Sequence, residues 1–225
     1  MAIHQEIDFT LEIHSAEILE ASTVQSIAET CDRVEDARTG DVLLVHLRGD
    51  DSGDAGRLRS RHHDIHLVNK WERVLHRLER LPVATVAVAT GECRGLAAEI
   101  LLATDYRVAT PDLLLRLPSS GVAPWPGMAL FRLATQIGFR QARQPALFGA
   151  ATTAEKALAL GLIDEITDDP AEALGAAVKN FQGARAGDIS VRRRLLMDAT
   201  GSTFEDALGS HLAACDRALR PAGQV

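Results

Sequence analysis

The segment GECRGLAAE, residues 91–99, combines residue types that could hold an oxyanion beside an acid/base group. Gly91 and Gly95 allow the backbone to turn sharply and to approach a ligand closely. The apolar run that begins at Leu96 predicts a short buried helix over residues 96–104. Because the first turn of a helix presents unpaired N–H groups and the positive end of the helix dipole, its start is a candidate oxyanion site.

Glu99 lies three residues after Leu96, which places its carboxylate on the same face of the first helical turn. A carboxylate beside an oxyanion site can act as a general acid or base. The same position also suits a glutamate that caps the helix as the acidic member of a capping box. From the residues alone, both roles remain open.

Two other groups of reactive side chains could in principle act as a nucleophile or as metal ligands, but their spacing gives little support for either role. Cys93 is close to the candidate site, but no adjacent histidine is present to activate it as a nucleophile. His62 and His66 have an i,i+4 spacing, with His63 between them, but no third ligand follows at metal spacing. We therefore expect an inert thiol, a solvated histidine face and no metal site.

The elements that must position these residues alternate between strand and helix. Apolar alternation and compact apolar runs predict strands at residues 7–14, 41–47, 83–89, 106–109 and 113–115, and TGECRG reads as a tight turn. Helical periodicity predicts a helix that begins near residue 22 and a second over about residues 60–80. From residue 128 onward the chain is almost entirely helical, with amphipathic segments near 170–182, 190–198 and 203–219. This order predicts a layered α/β fold with parallel strands and a helical C-terminal part.

Charge and composition argue against several classes of partner. The chain has 31 acidic and 24 basic residues and a net charge of -7, which does not favour non-specific nucleic-acid binding. Its three distant cysteines form neither a disulfide framework nor a paired-cysteine zinc motif and indicate a reducing compartment. The start of the sequence lacks the order of a signal peptide, and no apolar stretch approaches the roughly 18 residues of a membrane span. We expect a cytoplasmic protein.

Two blocks of the sequence resemble the crotonase (enoyl-CoA hydratase/isomerase) superfamily. Residues 138–166, GFRQARQPALFGAATTAEKALALGLIDEI, are similar to its pattern of spaced glycine and alanine followed by Ala-Glu-x-Ala and Gly-Leu-Ile/Val. Residues 91–105, GECRGLAAEILLATD, are similar to its glycine-rich turn, helix and closing aspartate. The resemblance implies an α/β fold built as a crotonase-like spiral of ββα units. It also implies a core domain at residues 1–166 and a helical oligomerisation region at residues 167–225.

The resemblance also implies roles for residues of the candidate site. Crotonase-like enzymes bind the thioester carbonyl of an acyl-CoA with two backbone N–H groups, which stabilise the enolate that forms. The matching donors here are Leu96 and Ala55, Gly95 lies at the substrate, and Glu99 matches the first catalytic glutamate of hydratases. The family usually has three consecutive glycines where this chain has Gly95, Leu96 and Ala97, so the Leu96 side chain must be accommodated.

The second catalytic glutamate of hydratases follows a proline, and here Pro118 is followed by Ser119. Serine is no acid or base of comparable strength, although it can orient a water molecule or a substrate hydroxyl. The alternative is that Ser119 and Ser120 only shape a turn. Trp125, in the sequence PWPG, is the expected pocket wall, whereas Trp71 is interpreted as a packing residue.

Two groups of arginines are candidates for contact with the CoA phosphates, with surface charge as the alternative for each. The first group follows Ala55, at a position where crotonase-like proteins hold these phosphates, and Arg57 is its leading member. The second group lies in the C-terminal helical part. The groups are Arg57, Arg59 and Arg61, and Arg192, Arg193 and Arg194.

The residues and the resemblance together predict an enzyme that acts on an acyl-CoA thioester, with coenzyme A as part of the substrate and no separate cofactor. A single carboxylate suffices for isomerisation of a double bond, or for dehydration when a second polar group assists the leaving hydroxyl. The missing second glutamate therefore favours a specialised dehydratase/hydratase or isomerase. The composition and altered loops resemble crotonase homologues of antibiotic biosynthesis that act on polyketide-derived thioesters, as in dihydroxyphenylacetyl-CoA formation.

The alternative is a catalytically reduced accessory subunit that binds acyl-CoA or supports a partner enzyme of the same pathway. The altered glycines and the missing glutamate favour this alternative, and the retained Glu99 opposes it. In either case the resemblance implies a homotrimer or hexamer, with C-terminal helices packed on neighbouring subunits.

Overall fold

The computed structural model describes residues 9–37, 42–49, 64–117, 127–182 and 186–220. The strands are β1 Phe9–His14, β2 Val42–Arg48, β3 Ala84–Thr90, β4 Glu92–Arg94, β5 Tyr106–Ala109, β6 Leu114–Arg116, β7 Thr152–Thr153 and β8 Glu165–Ile166. The helices are α1 Ala21–Asp36, α2 Ile65–Leu78, α3 Gly95–Leu101, α4 Ala129–Phe148, α5 Ala154–Leu160, α6 Pro170–Gln182, α7 Ala186–Ala199 and α8 Phe204–Leu219.

The main sheet has five parallel strands in the order β1-β2-β3-β5-β8. Its central strands, β2 and β3, pair along their whole length, from Val42 opposite Ala84 to Arg48 opposite Thr90. Both are buried almost throughout, as expected of interior strands covered by helices on two faces. The predicted α/β architecture with parallel strands is confirmed.

Alternate side chains of β2 pack into two separate cores. Leu43, Val45 and Leu47 belong to the large core that also contains buried residues of α1, α2 and α3. Val42 and Leu44 lie in a smaller core formed with the apolar face of α6. This period-two division is what a strand between two helical layers requires.

A second, three-stranded sheet follows immediately after β3, where the sequence predicted only a tight turn. Residues 92–94 form β4, which is parallel to β6, and β6 is antiparallel to β7. The turn prediction was wrong because the glycines flanking these residues carry the change of direction instead: Gly91 has φ 62° and Gly95 has φ 56°. The extended residues between them are free to pair as a strand.

The C-terminal part is mainly helical, as predicted, from α4 to α8, and the short strands β7 and β8 interrupt it. Within α4 the backbone leaves the helical conformation at Gly138, where φ is 75°. Helix α7 packs against α8, and α8 buries none of its residues in the described chain. Among the described residues, no helix is long and apolar enough to cross a membrane.

Candidate active site

The carboxyl ends of β2 and β3 bring two chain segments of the candidate site together. The Gly49 N–H, directly after β2, donates a hydrogen bond of 2.7 Å to the carbonyl oxygen of Thr90. A Cβ atom on Gly49 would lie 2.3 Å from the Glu92 nitrogen, so any side chain at this position would force the two segments apart. Gly49 therefore lies against the residues that connect β3 to β4.

Helix α3 begins at Gly95, and Leu96 is its second residue. Its N-cap residue, Arg94, makes no side-chain capping hydrogen bond. The Leu96 side chain is 4% exposed and packs in the large core, which explains how leucine replaces a glycine of the family pattern. The backbone N–H of Leu96 lies in the first turn, where helical N–H groups have no intrahelical acceptor.

Glu99 is the fifth residue of α3, one position beyond the first turn, and its carboxylate is directed into the protein. Its Oε2 atom accepts a hydrogen bond of 2.8 Å from the Trp71 indole Nε1–H. A capping-box glutamate would instead be the third helical residue and would bond to the backbone of the N-cap. The capping alternative for Glu99 therefore does not fit this helix.

Burial is the largest influence on the pKa of Glu99. The residue is 2% exposed, and desolvation raises the pKa of its carboxyl to about 7. The hydrogen bond from Trp71 opposes this change by stabilising the carboxylate. The charge of Glu72 raises the pKa further and that of Arg132 lowers it. Such a pKa lets the group both accept and return a proton near neutral pH.

The other carboxylate oxygen of Glu99 lies next to Gly127. A Cβ atom on Gly127 would be 3.1 Å from Oε1, and the residue has a positive φ of 65°. Both features favour glycine here. A side chain would crowd the carboxylate, and residues with side chains rarely adopt a positive φ. The backbone just before α4 thus borders the Oε1 side of the carboxylate.

A network of charged side chains fixes α4 against α2 beside this site. Arg132 is 5% exposed; its Nε lies 2.5 Å from Glu79 Oε1 and its Nη1 lies 3.3 Å from Glu72 Oε2. The Met128 backbone N–H donates to Glu72 Oε1 at 3.0 Å. The network therefore anchors the chain immediately after Gly127.

The structure places Gly95, Leu96 and Glu99 on α3, where the sequence predicted a helix, and their functional roles stay predictions. The other four predicted site residues lie outside the described residues, and their roles stay predictions: Ala55, Arg57, Ser119 and Trp125. His62 and His63 lie outside them as well. Cys93 is fully buried, and burial raises the pKa of its thiol to about 12, as expected of an inert cysteine.

Arg193 does not fit a role as a phosphate ligand. Its guanidinium forms a salt bridge with Asp105, with Nη2 at 2.6 Å from Oδ2. It also donates to the carbonyl oxygens of Leu81 and Val83 at 2.6 and 2.7 Å. These bonds use the guanidinium to attach α7 to the sheet. The prediction of phosphate contact was therefore wrong for this residue, and so was the alternative of surface charge, since Arg193 is buried.

Sequence reasoning missed the contribution of α2 to the site. Trp71 was interpreted as a packing residue, and it is indeed fully buried, but its indole N–H bonds to Glu99. The available signal was the residue type, since a buried indole N–H requires an acceptor. Nothing in the spacing identifies an acceptor 28 residues further along the chain.

Comparison with known proteins identifies the family to which the chain belongs. A family model described as enoyl-CoA hydratase/isomerase matches residues 47–220. A protein named enoyl-CoA-hydratase from Amycolatopsis orientalis is 41% identical over 215 residues, which cover 95% of this chain and 96% of that protein. The chain therefore belongs to the enoyl-CoA hydratase/isomerase family, and the predicted crotonase superfamily and enzyme class are confirmed.

Solved structures of low sequence identity share the fold. AtuE from Pseudomonas aeruginosa has a TM-score of 0.81 at 20% identity, covering 97% of this chain and 91% of its own. An enoyl-CoA hydratase from Shewanella pealeana has a TM-score of 0.78 at 18% identity, covering 91% of this chain and 80% of its own. The predicted crotonase-like fold with a helical C-terminal part is confirmed.

Proposed function

We propose that this protein is an acyl-CoA dehydratase/hydratase or isomerase in which Glu99 is the single proton-transfer group. The observation that carries the proposal is the position of a buried carboxyl, with a pKa raised to about 7, three residues beyond the Leu96 N–H. Family membership supports the acyl-CoA substrate.

In the proposed reaction, the thioester carbonyl oxygen accepts hydrogen bonds from the backbone N–H groups of Leu96 and Ala55. Ionised Glu99 removes a proton from the α-carbon, and the electron pair of the broken C–H bond forms the enolate, whose negative charge rests on that oxygen. Glu99 then holds the proton. It returns the proton to the γ-carbon in isomerisation, or to a β-hydroxyl that leaves as water in dehydration.

The remaining predicted residues complete this proposal. Ser119 orients the leaving hydroxyl or a water molecule, Trp125 forms a wall of the acyl pocket, and Arg57 contacts a CoA phosphate. Coenzyme A enters only as part of the substrate, and the proton transfers described need no metal or redox group. The Ser119 found in place of a second glutamate favours a specialised substrate, such as a polyketide-derived thioester, over unactivated enoyl-CoA.

Isothermal titration tests the proposed substrate class. Butyryl-CoA and phenylacetyl-CoA are compared with butyrate and phenylacetate, and we expect binding of the thioesters only. Mass spectrometry of acyl-CoA that co-purifies with the protein would identify the acyl group. Equal or undetectable binding of thioesters and free acids would contradict the proposal.

A second candidate is an accessory subunit that binds acyl-CoA for a partner enzyme. The observation that favours it is the replacement of three residues of the family pattern, with Ser119 at the position of a glutamate and Leu96 and Ala97 at the positions of glycines. Turnover assays of the isolated protein, with and without enzymes of its own pathway, separate the two functions. Activity that is found only when a partner is present, and is unaffected by Glu99→Gln, would favour the accessory role.

A further inference from the structure

We propose that Trp71 is a positioning residue for the proton transfer assigned to Glu99. Its indole N–H holds Oε2 and leaves Oε1, the oxygen beside Gly127, to exchange the proton with the substrate. The inference rests on the proposed function for the role of Glu99, whereas the hydrogen bond can be tested without any turnover.

The hydrogen bond between Trp71 and Glu99 holds the carboxylate in one orientation. Trp71 is fully buried on α2, Glu99 is 2% exposed on α3, and Nε1 lies 2.8 Å from Oε2. Among the residues that the structure describes, the indole is the only hydrogen-bond donor to this carboxylate. Since a buried indole N–H is costly to leave unpaired, the bond fixes both side chains.

The chemistry of the indole selects which oxygen carries the proton. An indole N–H donates a hydrogen bond and accepts none. When Glu99 is protonated, its carbonyl oxygen is a better acceptor than its hydroxyl oxygen, so the bond to Trp71 is kept best with the proton on Oε1. Oε1 faces Gly127, where a side chain would crowd the carboxylate at 3.1 Å. The indole thus directs the exchangeable proton to Oε1, the oxygen nearer to the Cβ position of Gly127, at 3.1 Å against 3.5 Å for Oε2.

Burial, two nearby charges and the Trp71 hydrogen bond together set the pKa of Glu99. Within the described chain, Glu72 on α2 raises the pKa of Glu99 and Arg132 on α4 lowers it, while burial is the largest influence. The Trp71 hydrogen bond stabilises the ionised form and keeps the pKa from rising further. Loss of the N–H should therefore raise the pH at which Glu99 ionises.

The indole itself provides a direct probe of the bond. The chain has two tryptophans, so a ¹⁵N–¹H spectrum of indole-labelled protein contains two indole N–H signals, and Trp71→Phe identifies that of Trp71. We expect this signal to shift between pH 5 and pH 9 with a midpoint at about 7, and to remain without such a shift in Glu99→Gln. A Trp71 signal that does not titrate, or that titrates equally in Glu99→Gln, would overturn the inference.

Exchange of the α-protons of butyryl-CoA and phenylacetyl-CoA for deuterium tests the consequence for catalysis. In Trp71→Phe we expect the rate at pH 7 to fall about tenfold, the size of one charge-assisted hydrogen bond, with KM changed less than about twofold. The midpoint of the pH profile should also move upward. Val74→Ala, a buried truncation on the same helix, is the control for packing loss and should leave the midpoint unchanged.

The outcomes for the two proposals are distinct. An unchanged pH profile in Trp71→Phe would overturn the role of Trp71 while the proposed function stands. No exchange by the wild-type protein would instead count against the proposed function, and the indole titration would still decide whether Trp71 holds the Glu99 carboxylate. If Trp71→Phe folds poorly, Trp125→Phe assigns the remaining indole signal to Trp71, so the titration can still be carried out with wild-type protein and Glu99→Gln.

Discussion

At the scale of single residues, the central feature is the buried carboxyl of Glu99, which accepts one hydrogen bond, from Trp71, within the described chain. Because the pKa of Glu99 is raised from 4.5 to about 7 in the folded chain, the folded state binds more protons than the unfolded state between these values. The contribution of Glu99 to the free energy of unfolding therefore decreases as pH rises through this window and is constant above it, where it is a cost on the order of 3 kcal/mol at pH 8.

This linkage predicts that Glu99→Gln stabilises the protein at pH 8 and has much less effect at pH 5. Glutamine removes the buried charge, and its side-chain oxygen can still accept the Trp71 hydrogen bond. Urea unfolding at both pH values is the measurement, and Glu29→Gln, at an exposed position on α1, is the control for the same chemical change. Equal effects of Glu99→Gln at the two pH values would contradict the raised pKa.

Gly127 offers a second test at this scale. Gly127→Ala should destabilise the fold by roughly 1 kcal/mol because Gly127 has a positive φ. It should also slow the exchange of substrate α-protons, because the new methyl group crowds Oε1 of Glu99. Gly161→Ala introduces similar strain at φ 72°, where a Cβ would have nothing within 4 Å. The melting temperature should fall in both variants, and only Gly127→Ala should catalyse α-proton exchange more slowly than the wild-type protein. The same exchange rate in both would argue against the placement of Oε1 beside Gly127.

At the scale of elements, the charged network between α2 and α4 keeps the Glu99 environment together. Arg132→Leu should lower the free energy of unfolding by about 3 kcal/mol, because it leaves the largely buried Glu72 and Glu79 without their cation. Arg194→Leu breaks an exposed pair with Asp198 and should cost less than about 0.5 kcal/mol. Urea unfolding distinguishes them, and similar losses would contradict a structural role for the network.

The sequence predicted the elements better than the contacts between them. Sequence patterns located β2, β3 and the C-terminal helices within a few residues, because the strands are compact apolar runs and the helices have apolar residues at helical spacing. They missed β4, since a three-residue strand has no period and depends on pairing with β6. Glu99 was found from local spacing on α3, whereas its bond to Trp71 joins separate helices and has no local signature.

At the scale of the whole molecule, large apolar side chains remain exposed on the helical C-terminal part. Phe204 and Leu219 are 75% and 83% exposed on α8, and Leu196 is 73% exposed on α7. Exposed apolar surface of this kind is typical of an interface. We therefore propose that residues 167–225 serve as an oligomerisation region in a homotrimer or hexamer.

Light scattering at micromolar concentration tests this assembly. We expect a trimer or hexamer for the wild-type chain. Leu212→Glu, which places a charge on the apolar side of α8 at a 56% exposed position, should reduce the assembled fraction. Because α8 buries no residue within the described chain, the variant should keep the fold of the subunit. A wild-type monomer would contradict the proposed assembly.

The rate of α-proton exchange in Glu99→Gln tests the central claim most directly. Glutamine keeps the volume of the side chain and an acceptor for Trp71 but cannot take up the α-proton. We predict a fall of about 10²–10⁴-fold in the exchange of phenylacetyl-CoA, with little change in its affinity. Ser119→Ala should cost less. An unchanged exchange rate in Glu99→Gln would contradict the assignment of Glu99 as the proton-transfer group.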